Sequence, residues 1–261
     1  MMKHYALLGE KLGHSLSVPI HMEIFRRYGI EADYRLLELP RETFAQDAAR
    51  LLTELDGFNV TIPYKRDIIP LLRSIDPAAE AIGAVNTVHA ASGCGYNTDV
   101  MGFTGMLRHY GIDPAGQPCY VLGGGGTSLT ACAALRRMGA RSVTVVSRHP
   151  APGQIGYDRL LQEFSGVLVN TTPAGMLYQK DPCPVDPACL PELLRRATGV
   201  VDVIYNPPET LLTAAAHRSG VPACTGLYML VEQAVEAERI WQGIDFPADL
   251  TPTLMKELKL P

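Results

Sequence analysis

Paired metal ligands and paired cysteines are missing from this sequence. The six cysteines (Cys94, Cys119, Cys132, Cys183, Cys189 and Cys224) form no Cys-x-x-Cys motif and keep no regular spacing. That argues against a zinc site or a disulfide framework, and for free thiols in a reducing cytoplasm. The seven histidines include no His-x-x-x-His pair, so no metal is expected. Charge of one sign is also lacking. A formal net charge of −4 gives no basic field for nucleic acid or an anionic membrane, so any bound anion must be held by local donors. No apolar run reaches the length of a membrane span, and the opening Met-Met-Lys-His-Tyr-Ala-Leu-Leu-Gly reads as a strand rather than a signal peptide. Internal repeats and low-complexity tracts are absent too.

What remains is an ordinary soluble composition. Hydrophobic residues make up 47% and charged residues 19% of 261 residues, enough for one large domain or two modest ones with real cores. In the first hundred residues, Tyr5–Leu8, Tyr34–Leu37, Phe58–Ile62 and Thr87–Ala90 read as strands, and Pro19–Tyr28 and Arg41–Leu55 as amphipathic helices. Ser92–Gly95 reads as a polar turn. This order predicts an α/β domain with a largely parallel sheet.

Pro114-Ala115-Gly116-Gln117-Pro118 is the strongest punctuation in the chain. After it come the apolar run Cys119–Leu122, the tetraglycine Gly123-Gly124-Gly125-Gly126, a helical stretch Leu129–Met138 and the β-branched strand Ser142–Val146. Strand, glycine turn, helix, strand is the start of a dinucleotide-binding fold, in which the turn brings backbone amides at a helix N-terminus up to a pyrophosphate. Gly123 and Gly125 fill the first two positions of Gly-x-Gly-x-x-Gly, while Ser128 stands at the third. At the end of the next strand a carboxylate would suit the ribose hydroxyls of NAD. Here the residues are Ser147-Arg148-His149, and the planar fork of Arg148 suits the 2′-phosphate of NADP, with NAD not excluded. Val167–Val169 and Val200–Ile204 fit as further parallel strands. Tyr228–Gln242 and Leu250–Leu258 read as helices that return to pack on the first domain.

Three groups of segments carry a resemblance. The first is Gly13-His14-Ser15-Leu16-Ser17, with Pro19 and His21 behind it. The second is Gly57-Phe58-Asn59-Val60-Thr61-Ile62-Pro63-Tyr64-Lys65, with Ile82–Thr87 and Gly95-Tyr96-Asn97-Thr98-Asp99 after it. The third is Thr172-Pro173-Ala174-Gly175-Met176, then Asp202–Pro207 with Thr210, then Gly226–Gln233. In this order they resemble the shikimate dehydrogenase family across nearly the whole chain. The resemblance implies an N-terminal α/β substrate domain (residues 1–101 with 227–261) and a Rossmann-like NADP-binding domain (102–226). It implies reversible hydride transfer between NADPH and 3-dehydroshikimate, giving shikimate, by a cytoplasmic enzyme that is a monomer or homodimer. A quinate/shikimate dehydrogenase using NAD or NADP is the near alternative, and a non-catalytic sensor of shikimate-like ligands the distant one.

Carried over position by position, the resemblance assigns the proton to Lys65 and Asp99, without deciding between them. It gives the ring carboxylate to Ser15, Ser17 and Tyr205. It places Thr61, Asn86 and Gln233, with Lys65 and Asp99, on the ring hydroxyls, where unpaired polar groups would reject analogues lacking them. Cofactor contacts fall to Gly123, Gly124, Gly125, Gly126, Ser147, Arg148, Thr172, Gly226 and Met229.

Plainer roles compete at each position. Ser15 or Ser17 could cap the helix near Pro19, Asp99 could cap Met101–Leu107, and Asn86 and Asn97 could be turn residues. Lys65 could be solvated and Gln233 an exposed helix position, while His14 and His21 are expected to be structural. Co-occurrence in one order favours the functional set. The chain departs from the family between His149 and Gly166, which is too short for the usual helix, extra strand and connection. One strand–helix unit is expected to be trimmed there.

Overall fold

The computed structural model describes residues 2–258 except His14 and Tyr178; the expectation for His14 therefore lies outside the described residues. The chain divides into two compact units. One runs to Asp99 and resumes at Val231; the other is Val100–Leu230.

The first unit is built from β1 (Lys3–Gly9), α1 (Ser17–Tyr28), β2 (Ala32–Glu38), α2 (Phe44–Glu54), β3 (Gly57–Val60), β4 (Ser74–Ile75), α3 (Pro77–Ile82), β5 (Thr87–His89) and β6 (Cys94–Tyr96). Its six-stranded sheet has the order β2-β1-β3-β5-β6-β4. The first three strands are mutually parallel, as βαβ connections require, and β5 turns antiparallel to both β3 and β6. The sheet is therefore mixed, and half of the expected polar turn is strand: Cys94 and Gly95 pair with His89 and Val88. Strand β1 shows why this sheet is central. Ala6 and Leu8 pack with Phe44, Ala48 and Leu51 of α2 on one face, and Tyr5 and Leu7 pack with Phe25 of α1 on the other. Buried on both faces, it reads as a continuous apolar run.

Helices α4 (Asp99–His109) and α9 (Leu227–Gln242) contain the points where the chain passes from one unit to the other. The later part of α9 belongs to the first unit. Ala237 and Trp241 join the cluster around Tyr5, Phe25 and Tyr34, Trp241 stacks on Tyr5 with ring centroids 4.6 Å apart, and its Nε1 donates to the Val88 carbonyl (2.9 Å). Helix α10 (Leu250–Glu257) follows.

The second unit contains β7 (Pro118–Leu122), α5 (Gly126–Arg137), β8 (Ser142–Val146), α6 (Tyr157–Glu163), β9 (Gly166–Asn170), α7 (Leu190–Leu194), β10 (Ala197–Asp202), α8 (Leu211–Arg218) and β11 (Ala223–Thr225). Its five strands are all parallel in the order β11-β10-β9-β7-β8. The order reverses between β7 and β9, which makes the carboxyl ends of those strands the switch point where open α/β sheets bind ligands. Tyr120, Leu122, Leu168 and Val200 pack on one side with Leu160, Leu193 and Leu212 of the helices, while Cys119, Val121, Val169 and Val201 between them are buried as well.

Strand β8 is an edge. The segment after it forms α6, and among the described residues one residue of it pairs with β8. Ile155 bridges to Val146, its N–H donating to the Val145 carbonyl and its carbonyl accepting from Ser147. Among the described residues no helix is long and apolar enough to cross a membrane.

Candidate active site

In the first unit the chain turns sharply after β3, and Lys65 sits in that turn with its carbonyl accepting from the Val85 N–H (2.8 Å). Asp99 is the first residue of α4. These two placements bring the ammonium and carboxylate together, Nζ to Oδ2 at 2.5 Å, in a pair whose side chains are 15% and 9% exposed. The carboxylate is thus spent on Lys65, and the lysine is not a freely solvated one. A charge-assisted contact of this kind holds both groups in register while leaving Lys65 two further hydrogens to offer.

Ser15 and Ser17 lie at the start of α1 without capping it. The cap position is Leu16, with no side-chain hydrogen bond. The Ser15 hydroxyl instead lies 3.1 Å from that of Ser17 and accepts from the Ser17 N–H (3.2 Å), which points the pair at one place. Thr61 is anchored by its N–H to the Leu8 carbonyl (2.9 Å) and starts the turn that carries Lys65. Asn86 is buried, not a surface turn residue: its Oδ1 accepts the Thr98 N–H at 2.7 Å, next to Asp99. Asn97 braces the same region through its Nδ2 to the Ala84 carbonyl (2.9 Å). Gln233 is buried on α9 in this unit rather than exposed. His21 is fully buried, stacked on Tyr34 and 2.6 Å from Glu238. Tyr205 belongs to the second unit, after β10, where burial pushes its phenol above the ordinary tyrosine range.

The glycine loop of the second unit follows β7 at the switch point. Gly123 has φ +106°, and a Cβ there would lie 2.9 Å from Thr171 Oγ1 and 3.1 Å from Thr172 Cγ2, so the turn tolerates only glycine. By contrast, a Cβ on Gly124, Gly125 or Gly126 would meet nothing within 4 Å, and α5 starts at Gly126 with no side chain capping it. Open space above uncapped helix amides is the cradle a pyrophosphate needs. Thr172 sits beside that loop. Ser147 closes a tight turn after β8, its hydroxyl bonded to the His149 N–H and carbonyl at 3.2 Å, and leaves Arg148 exposed at the end of the strand. Ser128, at the third glycine position, is buried in α5. Gly226 donates its N–H to the Ile204 carbonyl (2.8 Å) and presses so closely on Val203 that a Cβ would fall 2.0 Å from its carbonyl oxygen. Met229 is buried in the first turn of α9.

A buried polar network that the residue assignments above omit supports this end of the sheet. Asn170, the last residue of β9, donates to Asp202 Oδ1 (3.0 Å) at the end of β10. It accepts from the N–H and hydroxyl of Thr172 (3.0 and 2.7 Å). Asp202 also accepts from the Ile204 N–H (3.2 Å) and the Thr210 hydroxyl (2.8 Å). With no solvent exposure, its carboxyl is pushed up to about 6 by burial, against the pull of these donors. A polar residue closing each apolar strand, Asn after Gly-Val-Leu-Val and Asp after Gly-Val-Val, is the sequence signal that would have found it.

Residues 7–88 match the model of the shikimate dehydrogenase substrate binding domain. The chain is 36% identical over 266 residues to the shikimate dehydrogenase (NADP(+)) of Clostridium beijerinckii, covering 97% of each chain. It is 34% identical to that of Sulfolobus acidocaldarius, covering 92% of this chain and 90% of the relative. The chain belongs to the shikimate dehydrogenase family. Among solved structures, a chorismate mutase/shikimate 5-dehydrogenase fusion protein from Clostridium acetobutylicum superposes with a TM-score of 0.92, at 38% identity over 100% of this chain and 98% of that one. Another family member, the shikimate 5-dehydrogenase from Thermus thermophilus in complex with NADP(H) and shikimate, gives a TM-score of 0.84 at 30% identity, covering 98% and 99%.

Proposed function

We propose that this chain is a shikimate dehydrogenase, an NADP-dependent oxidoreductase that interconverts 3-dehydroshikimate and shikimate in aromatic amino acid biosynthesis. The Lys65–Asp99 pair carries the reading. A partly buried ammonium held against a carboxylate beside Asn86 and Thr61 is what an alcohol–carbonyl interconversion requires at the oxygen. When bound, the nicotinamide supplies or receives the hydride at the ring carbon. The protein manages the remaining proton. In the direction of reduction Lys65 donates it to the oxygen that becomes the hydroxyl, and Asp99 holds the ammonium in place; in oxidation the same proton returns to the lysine.

Ser15 and Ser17 orient the ring carboxylate with neutral hydroxyls, which fix the ring without trapping the product in an ion pair. Thr61, Asn86 and Gln233 face the ring hydroxyls. Gly123, Gly124, Gly125 and Gly126 hold the cofactor's pyrophosphate. Ser147 and Arg148 take the adenosine 2′-phosphate, Thr172 the ribose, and Gly226 and Met229 lie at the nicotinamide. Most of the substrate contacts thus fall to residues 1–101 with 227–261, and most of the cofactor contacts to 102–226. One chain carries both sets, so activity needs no second copy, and whether the protein is a monomer or homodimer is read from its mass in solution.

The test is an assay of the purified chain with shikimate and with quinate, each against NADP+ and NAD+. Turnover of shikimate with NADP+ at the highest kcat/KM of the four is the expected result. Ligand binding without turnover of any pair would sink the enzymatic reading.

A further inference from the structure

Beneath the ring-acid residues of the first unit lies a cluster of buried amides and hydroxyls whose hydrogens can be counted. Two backbone groups fix which way its amides face. The Asn86 carbonyl can only accept, so the 3.2 Å contact from Asn59 must be its NH2, and Asn59 Oδ1 faces the other way. The Thr98 N–H can only donate, so the 2.7 Å contact on Asn86 is its Oδ1. Asn59 Oδ1 lies 2.7 Å from the Tyr34 hydroxyl, which must therefore donate.

From Tyr34 the chain runs in one direction. Asn59 Nδ2 donates to Thr87 Oγ1 (3.0 Å) and Asn86 Nδ2 to Thr98 Oγ1 (3.0 Å). The Thr87 and Thr98 hydroxyls lie 3.1 and 3.3 Å from Asn86 Oδ1 and 3.1 Å from each other, so one donates to that oxygen and the other to its neighbouring hydroxyl. Both lone pairs of Asn86 Oδ1 are filled, and both hydrogens of Asn59 are spent. Among the described residues, one polar side-chain hydrogen in this cluster has no acceptor, the second N–H of Asn86.

We propose that Tyr34 is a positioning residue for the ring acid, heading a directed hydrogen-bond chain through Asn59 and Thr87 that presents Asn86 to a ring hydroxyl as a donor only. This rests on the ring-acid reading above and adds the polarity of one contact and a residue that braces it. Tyr34 is suited to the part. It is buried, and its ring stacks on His21 at 4.0 Å. Burial and the nearby Glu238 charge hold the phenol well above its ordinary range, so it stays a donor. Without the hydroxyl, Asn59 Oδ1 has no donor. Turning the amide over instead sets its oxygen against the Asn86 carbonyl. Either way Asn59 is held less firmly against the Asn86 carbonyl and Thr87, and Asn86, its amide still turned by the Thr98 N–H, loses the support behind it.

Tyr34→Phe keeps the ring and its stacking partner. The expected result is a KM for shikimate raised about tenfold, with kcat changed less than about threefold and the KM for NADP+ unchanged. Thr87→Val interrupts the same chain in its middle and should give the same pattern. In an Asn86→Ala background, Tyr34→Phe should raise that KM by less than about twofold, because the two act in series. A merely structural tyrosine would lower the melting temperature and leave this split untouched. Unchanged KM in Tyr34→Phe, or effects that multiply with Asn86→Ala, overturns the proposal while wild-type turnover leaves the functional reading standing. A wild-type chain that neither turns over nor binds shikimate, by calorimetry, overturns both.

Discussion

Both units bury asparagines in or beside their strands, and they satisfy them by different means. In the first unit Asn59 and Asn86 are bonded by hydroxyls, amides and backbone, and Asp99, one residue beyond Thr98, keeps its charge for Lys65. In the second, Asn170 shares its hydrogen bonds with Asp202, a fully buried carboxyl with three donors and no cation among the described residues. A neutral chain has a direction, so it can dictate whether a neighbouring group donates or accepts. A carboxyl accepts from every side, so one residue can gather Asn170, Ile204 and Thr210 around the switch point, at the cost of desolvating an acid.

The largest expected effect separates chemistry from support. Lys65→Met should lower kcat with shikimate and NADP+ by about a thousandfold, the upper range for losing a positioned acid–base group, while the urea midpoint changes little. An unfolding transition displaced as far as that of an Asp202 variant would mean that Lys65 holds the unit together and does not act on substrate.

Asp202→Ala should do the reverse. It leaves the Asn170 amide, the Ile204 N–H and the Thr210 hydroxyl without their acceptor, and should destabilise the chain by about 3 kcal/mol in urea denaturation. Because Asn170 also holds Thr172 beside the glycine loop, the KM for NADP+ should rise while that for shikimate stays near wild type. A loss of affinity confined to shikimate would break this division of labour.

A smaller effect tests the charge itself. The Asp202 carboxyl stands near 6 in the folded protein against an ordinary 3.8, so the folded state keeps a proton that the unfolded chain has released. Its contribution to stability is complete below about pH 4 and is lost as pH rises through about 6, a change of at most about 3 kcal/mol. Asp202→Asn removes this titration, and the Thr210 hydroxyl can rotate to accept from the new amide. The variant should flatten the rise in stability between pH 6 and pH 4. A slope equal to that of wild type would place the titrating group elsewhere.

The division between legible and hidden features follows the same physics. The β-branched runs around the tetraglycine showed the parallel sheet because such strands are buried on both faces. Lys65 and Asp99 were visible as parts of segments in a fixed order, although they are 34 positions apart and only the turn after β3 and the start of α4 bring them together. Strands β4 and β11, two and three residues long, carry too little pattern to be seen. Tyr34 was hidden for another reason. In Tyr34–Leu37 it reads as one more apolar strand residue, and nothing local shows that its hydroxyl reaches Asn59, 25 positions away. Between Arg148 and β9, Ile155 alone bridges to β8 among the described residues, a pairing too short to leave a pattern in the sequence.

That edge leads to the smallest effect. Arg148 is exposed, in the turn held by Ser147 and near the Tyr157 phenol. An exposed guanidinium on a phosphate is screened by water, and its contribution lies at the low end for a charge-assisted contact. Arg148→Ala should therefore raise the KM for NADP+ by only about tenfold, with the KM for NAD+ within about twofold of wild type. The discrimination should shrink further as salt increases, which a contact with an uncharged ribose would not show. Equal increases for both cofactors would mean that Arg148 supports the turn after β8 and does not read the phosphate. The preference for NADP would then have to come from elsewhere along this edge.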